Sequence, residues 1–249
     1  MTPAMIGYLL ATGAIGVATA LGYNTMAPQS QLYGSTFTGG GRNERHLALT
    51  FDDGPNEPYT MNLLEVLDRY GVKATFFMIG RYVNARPEIA ATVARAGHVI
   101  GNHTFTHPNL IFCSRTQIRA QLADCDSALC DSVGEHSRLF RPPFGGRRPA
   151  VLKVANELEL STIMWDVTAY DWRLGQASRI EEHVFRQVRG GNVILLHDGS
   201  HLSLGVDRSQ TVEATSAIIR RYHDLGFAFV TIPEMMDRVT ASHQSPVAG

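Results

Sequence analysis

Ala48-Leu49-Thr50-Phe51-Asp52-Asp53-Gly54-Pro55 is an apolar run that stops at two adjacent carboxylates and a turn. His46 to Phe51 is short, apolar and bounded by turn residues, the pattern of a buried strand. Asp52 and Asp53 then stand at its carboxyl end. Neighbouring side chains in an extended strand point to opposite sides, but a chain turning through Gly54-Pro55 can aim both acids at one cavity in different roles.

Outward from that stretch, strand and helix signals alternate. Helix signals run from Tyr59 to Tyr70, and Lys73 to Ile79 is the next buried strand. Pro87 opens a helix that Gly97 ends, and His98 to Ile100 is a short strand running into Gly101. Ser114-x-x-Gln117 has the form of a capping box for a helix reaching Val133, and Ser178-x-x-Glu181 has the same form. Further strands are expected at Arg138 to Arg141, Ser161 to Val167, Asn192 to Leu196 and Phe227 to Ile232, with helices from Pro149, Ser209 and Pro233. About seven β/α units imply a parallel sheet, either closed as a barrel or open and doubly wound. Asp52-Asp53, His103 and His107, Arg141, Asp166 to Trp172, and His197-Asp198 all fall at carboxyl ends of strands. A β/α barrel builds its site on that face from several strands, whereas an open sheet concentrates it at one switch point. The expectation is therefore an α/β fold, a partial seven-unit β/α barrel.

The chain has 249 residues with 22 basic and 23 acidic side chains, enough for one barrel-sized core and without the charge footprint of a nucleic-acid binder. Its first charged side chain is Arg42, and Pro3 to Tyr23 is apolar or small over about the length that spans a bilayer. Residues 1–24 are read as a membrane anchor or signal segment; Ala18-Thr19-Ala20 resembles a cleavage site, but a basic region before the apolar run is missing. Residues 25–44 read as a polar, Gly-rich flexible linker, 45–239 as the catalytic domain and 240–249 as a tail. The three cysteines, Cys113, Cys125 and Cys130, form no Cys-x-x-Cys pair and are assigned no chemistry.

His103 and His107, four residues apart, can put both imidazoles on one side of a turn. With one carboxylate they would leave the open coordination that a catalytic Zn²⁺ or similar ion needs. Such an ion would polarise a carbonyl and activate water, Asp52 would take the proton, and His197 would protonate the leaving group from the other side.

At these motifs the chain resembles the polysaccharide deacetylases, carbohydrate esterase family four. The resemblance runs from His46 to Arg238 through Thr50-Phe-Asp52-Asp53-Gly-Pro55, His103-Thr-Phe-Thr-His107, Arg141-Pro-Pro-Phe-Gly145, Asp171-Trp172 and Leu195-Leu-His197-Asp198. It implies a hydrolase that removes acetyl groups from N-acetylglucosamine residues of a cell-wall or exported glycan. Carried over by motif, Asp52 is the base, His197 the acid, and Asp53, His103 and His107 the ligands of a divalent ion, Zn²⁺ first, with Co²⁺ or Ni²⁺ as substitutes. Arg141 and Asp171 resemble an ion pair that orients and tunes Asp52, and Trp172 and Leu195 resemble apolar walls around the acetyl group. Phe144 stands where many members have Tyr; the family uses the backbone N–H there, and Phe144 or Gly145 would hold the oxyanion. Arg147 and Arg148 just beyond are expected to face solvent, the alternative being contact with a charged polymer. The same site could act as an O-acetyl esterase on acetylated xylan, or persist as a non-catalytic glycan-binding module, although a degenerate member would be expected to lack a ligand, the base or the acid. The expected setting is a monomeric, membrane-tethered domain in the cell envelope, or a secreted one if the segment is cleaved.

Overall fold

The structure, a computed structural model, describes residues 19–244. The anchor expected before Tyr23 therefore lies mostly outside the described residues, and among them no helix is long and apolar enough to cross a membrane.

Strand β1 (His46–Gly54) is buried along its whole length and forms the axis of the sheet. The others are β2 (Thr75–Met78), β3 (Val99–Asn102), β4 (Leu139–Phe140), β5 (Ser161–Thr162), β6 (Val167–Thr168), β7 (Asn192–His197) and β8 (Ala228–Phe229). All strand pairings are parallel, in the order β5-β4-β3-β2-β1-β7-β6, with β8 pairing the start of β1. The sheet is curled into an incomplete barrel, the form that the spread of reactive residues over several strand ends favoured.

The stretch from Ser161 to Val167 is not one strand. Its first two residues pair with β4 and residues Val167 and Thr168 pair with β7, at opposite ends of the sheet order. The gap between them is partly filled from the segment before β1. Phe37 donates its N–H to the Thr162 carbonyl (2.9 Å) and accepts from Met164 (2.8 Å), and Gly40 donates to Gly191 (2.7 Å). Residues 25–44, expected as a flexible linker, thus carry backbone bonds to both edges of that gap.

Strand residues alternate between two apolar cores. Leu47, Leu49 and Phe51 of β1, Phe76 and Met78 of β2, and Ile194 and Leu196 of β7 pack outward under the helices. The helical side of that core comes from α1 (Tyr59–Arg69), α2 (Gly80–Ala85), α3 (Pro87–Arg95), α4 (Arg115–Val133), α7 (Ala177–Gln187) and α8 (Ser209–Asp224); α5 (Pro149–Glu157), α6 (Asp171–Leu174) and α9 (Ile232–Gln244) are further helices of the barrel. Ala48, Phe77, Val193 and Leu195 point the other way, into the barrel, with Ile163, Met164 and Trp165. Both faces are apolar because helices cover the sheet outside and the curl closes it inside. Burial of each large side chain stabilises the fold by about 1.5–3 kcal/mol. The alternation also sends Thr50, Asp52 and His197 inward, toward one end of the barrel.

Helix α4 begins as its sequence foretold. Ser114 accepts from the Gln117 N–H (3.3 Å), and the Gln117 side chain accepts from the Ser114 N–H (2.7 Å). The second box does not form: α7 starts one residue before Ser178, capped by Gln176 without a side-chain bond. Here packing of Ala177, Ile180 and Val184 against the core sets the helix start.

Candidate active site

Strand register brings the site together. Asp52 lies opposite His197 on one side and Phe77 on the other, Met78 opposite Asn102, and Asn102 opposite Phe140. The residues that follow these positions, Asp53, His103, Arg141 and His197 itself, therefore share one level at the carboxyl ends. Asp52, Asp53, His103 and His197 line a cavity of about 670 Å³ with His107, Phe144, Gly145, Trp172 and Leu195, while Arg141 lies fully buried behind Asp52. A second cavity, about 650 Å³, lies at the amino ends of β3, β4 and β5 beside His98 and His136, remote from these groups.

The two adjacent acids reach the same cavity through a bulge. The register between β1 and β2 shifts between Asp52 and Gly54, and Asp53 has φ 74°. One left-handed residue cancels the alternation that would otherwise send Asp53 outward. Gly54 is required next: a Cβ there would run into the Asp198 carboxylate. Asp198, a motif residue without an expected role, donates its N–H to the Asp52 carbonyl (3.2 Å), and its carbonyl accepts from the Asn56 side chain (2.9 Å), pinning the turn. Burial pushes its carboxyl up to about 7.

Asp53, His103 and His107 are buried, and one ligand atom from each lies within 4.8 Å of the others. Asp53 Oδ1 is 3.5 Å from His103 Nε2 and 3.2 Å from His107 Nε2. His103 Nδ1 donates to the Arg141 carbonyl (2.8 Å), which fixes the ring with Nε2 facing Asp53. Buried Asp53 Oδ1 has no hydrogen-bond donor among the described residues. Burial, reinforced by His103, takes the His107 pKa down to about 3, so the ring is neutral. Burial opposes the Asp53 charge as well, but His103 and His201 outweigh it and hold that carboxyl well below its ordinary range. Two imidazoles and a carboxylate are the donor set of an open divalent-metal site, so these residues fit such an ion.

Asp52 is held from behind. Arg141, fully buried, bonds Asp52 Oδ1 (2.7 Å) and Thr50 Oγ1 (2.9 Å) through Nη1, the Met164 carbonyl (3.1 Å) through Nη2, and the Ile163 carbonyl (3.3 Å) through Nε. Its guanidinium also lies 4.1 Å from the Phe77 ring centroid. Arg141 and Asp171 do not form one ion pair. Asp171 instead receives His197 Nδ1 (3.0 Å), the His197 N–H (2.7 Å) and the Thr211 hydroxyl (2.9 Å). The reason is topological: Asp171 opens α6 just after β6, the strand next to β7, while Arg141 follows β4 on the far side of the barrel. Burial alone would lower the His197 pKa, but the Asp171 charge and bond outweigh it and raise it to about 9.

Around this centre Leu195 is buried, and Trp172 packs edge-on against His197 at 4.7 Å with 47% of its surface exposed. Phe144 is equally exposed, at φ 58° in a turn over Pro143–Gly145. Gly145 donates its N–H to the Pro142 carbonyl (2.9 Å), whereas the Phe144 N–H makes no such bond among the described backbone groups. Of the two, Phe144 is the free donor. His201 escaped the sequence reading: it stacks on His107 (4.6 Å, 19°), meets Phe144 edge-on (5.1 Å) and puts Nδ1 3.8 Å from Asp53 Oδ2. It sits in the loop after β7, where no periodicity or ligand spacing marks it. Arg147, expected to face solvent, is 1% exposed. Its guanidinium is drawn in because it meets backbone carbonyls, which a sequence does not display.

A curled parallel sheet with an Asp-His-His group at its carboxyl end defines a half-barrel with a candidate metal centre, and proteins of this build are known. The sequence model described as polysaccharide deacetylase matches residues 39–163. A peptidoglycan-N-acetylglucosamine deacetylase of Bacillus cereus is 38% identical over 78% of this chain and 89% of its own length. A chitooligosaccharide deacetylase of Sinorhizobium fredii is 38% identical over 75% of this chain and 89% of its own length. Among solved structures, a pseudoenzyme of carbohydrate esterase family four from Bacillus anthracis superimposes with TM-score 0.74 at 30% identity, covering 81% of this chain and 68% of that one. The chain belongs to the polysaccharide deacetylase family, carbohydrate esterase family four.

Proposed function

We propose that this protein is a metal-dependent N-acetylglucosamine deacetylase, hydrolysing the acetamide C–N bond of a glycan to acetate and a free amine. The observation that carries this reading is the convergence on one cavity of a braced carboxylate (Asp52 on Arg141), a three-donor group (Asp53, His103, His107) and a carboxylate-bound imidazole (His197 on Asp171).

A divalent ion held by Asp53, His103 and His107 would supply Lewis acidity toward the acetyl carbonyl and favour ionisation of water; Zn²⁺ suits the donor set first, Co²⁺ or Ni²⁺ next. Asp52, whose Oδ1 is fixed by Arg141, offers Oδ2 to take the proton of the attacking water. The Phe144 N–H, free of backbone partners, donates to the oxyanion. His197 is protonated at neutral pH because of Asp171, and gives its proton to the departing sugar nitrogen. Asp52 then releases its proton to solvent and His197 takes one up, which returns base and acid to their starting states. Leu195 and Trp172 form the apolar wall for the acetyl methyl group.

The relatives' names point to peptidoglycan or chitin-type oligomers, and the apolar amino-terminal segment supports a tether in the cell envelope. A non-catalytic binding role is the competing reading, because the same fold occurs in a pseudoenzyme. The complete base, acid and donor set favours turnover. Acetate release from N-acetylchitopentaose and from peptidoglycan fragments, before and after exhaustive chelation and with Zn²⁺ restored, tests it. Activity that survives verified metal removal would sink the metal-dependent mechanism, and no release from any N-acetylated glycan would leave the binding role.

A further inference from the structure

Arg147 is a buried cation without a carboxylate partner among the described residues. Its Nη2 donates to the carbonyls of Ala27 (2.7 Å), Pro28 (3.1 Å) and Ser30 (2.6 Å), its Nη1 to Gly145 (3.2 Å), and its backbone N–H to Thr25 (3.1 Å). A buried guanidinium satisfied only by carbonyls is costly to build and costly to disturb, since both the charge and its acceptors lose partners together. The acceptors belong to two separate pieces of chain. One is the turn that presents Phe144; the other is the segment preceding the barrel, whose Pro28 lines the same cavity as Asp52 and His197. That segment is also braced internally, by Ser30 Oγ donating to Asn24 Oδ1 (2.6 Å) and by Gln31 bonding the Thr36 backbone N–H (2.7 Å).

We propose that residues 25–30 are a wall of the glycan cleft, and that Arg147 is the positioning residue that locks this wall to the Phe144 turn. Pro28 of this wall lines the cleft together with Phe144, Tyr170 and Trp172. It limits how a sugar chain enters beside the reacting acetamide. Arg147 acts through the turn: with its guanidinium gone, the Gly145 carbonyl loses a donor and the adjacent Phe144 amide loses its fixed direction. The cleft is therefore completed by chain that precedes the catalytic barrel, and the glycan specificity of this protein depends on it. The substrate part of this inference rests on the deacetylase reading above; the coupling between wall and turn does not.

The test uses the full-length protein with Arg147→Met and Pro28→Gly, and Arg119→Met, a surface guanidinium bound to Glu157, as control. Hydrogen exchange is measured at the amides of residues 27, 29–31 and 144–147, and kcat and KM on N-acetylchitopentaose. Arg147→Met is expected to speed exchange in both segments about tenfold or more, as loss of a buried donor implies, and to lower kcat with bound Zn²⁺ unchanged. Pro28→Gly keeps the carbonyl that Arg147 uses but removes the ring that faces the cavity, so it should raise KM severalfold more than it lowers kcat. Unchanged exchange at 144–147 in Arg147→Met overturns the coupling, whether or not the protein deacetylates anything. Unchanged KM in Pro28→Gly overturns the wall, and decides that point alone should Arg147→Met fail to fold.

Discussion

Asp171 grips His197 with both carboxylate oxygens, one on the ring Nδ1 (3.0 Å) and one on the backbone N–H (2.7 Å). The imidazole is thereby fixed in direction and kept charged, with Nε2 left to face the cavity. A general acid must hold its proton at working pH and release it in the transition state, and this pair provides the first condition.

The pH profile should report that pair. His197 is protonated below its raised pKa of about 9, so turnover limited by the acid is retained at neutral pH and falls as pH rises toward that value. Asp171→Asn should move the alkaline limb to lower pH and reduce kcat by about 10²-fold, the lower range for general acid catalysis. The same shift stabilises the fold: the contribution is complete below the ordinary histidine value of 6.5 and is lost as pH climbs to about 9. Urea midpoints should accordingly converge for wild type and Asp171→Asn at high pH. An alkaline limb that stays in place in the variant would remove Asp171 from this role.

The adjacent acids separate by metal content. Asp53→Asn should lose its ion and its activity together, with partial recovery in excess Zn²⁺, because a neutral amide is a poorer donor to a divalent cation. Asp52→Asn should retain stoichiometric metal while turnover drops by about 10²-fold or more. Elemental analysis and kcat on the same preparations decide between them, and the opposite pattern would exchange the two roles.

Arg141→Ala should cost both stability and activity. It strips a fully buried cation from Asp52 and leaves the carbonyls of Ile163 and Met164 without that donor. Breaking a buried pair on one side typically costs about 3–5 kcal/mol. A urea midpoint close to wild type would show that the guanidinium is replaceable by water.

Trp172→Ala should act on binding. The ring is half exposed, stands edge-on to His197 and lies beside Tyr170 (5.2 Å), forming an aromatic rim on the cavity. Loss of that surface should raise KM for chitin oligomers by about tenfold, which corresponds to about 1.4 kcal/mol of binding. A fall in kcat at constant KM would mean that the indole serves chiefly to hold His197.

Much of this protein is determined locally. Buried strands reveal themselves by short apolar runs ending at turns, so β1, β2 and β7 and their terminal acids and histidines were legible, and with them the barrel and the Asp53-His103-His107 group. The capping box at Ser114 was equally legible, since both of its bonds lie within four residues. What tertiary structure decided involves partners distant in sequence. Whether Asp171 meets Arg141 or His197 depends on sheet order, which alternation along the chain does not encode. The split of Ser161 to Thr168 between opposite sheet edges depends on curl, and the binding of Phe37 in the gap follows from it. Arg147 shows the limit most plainly: its charge suggested water, but three carbonyls of residues 27–30 and one of Gly145 solvate it instead, and backbone carbonyls are the same at every position in a sequence. Only folding selects which of them converge.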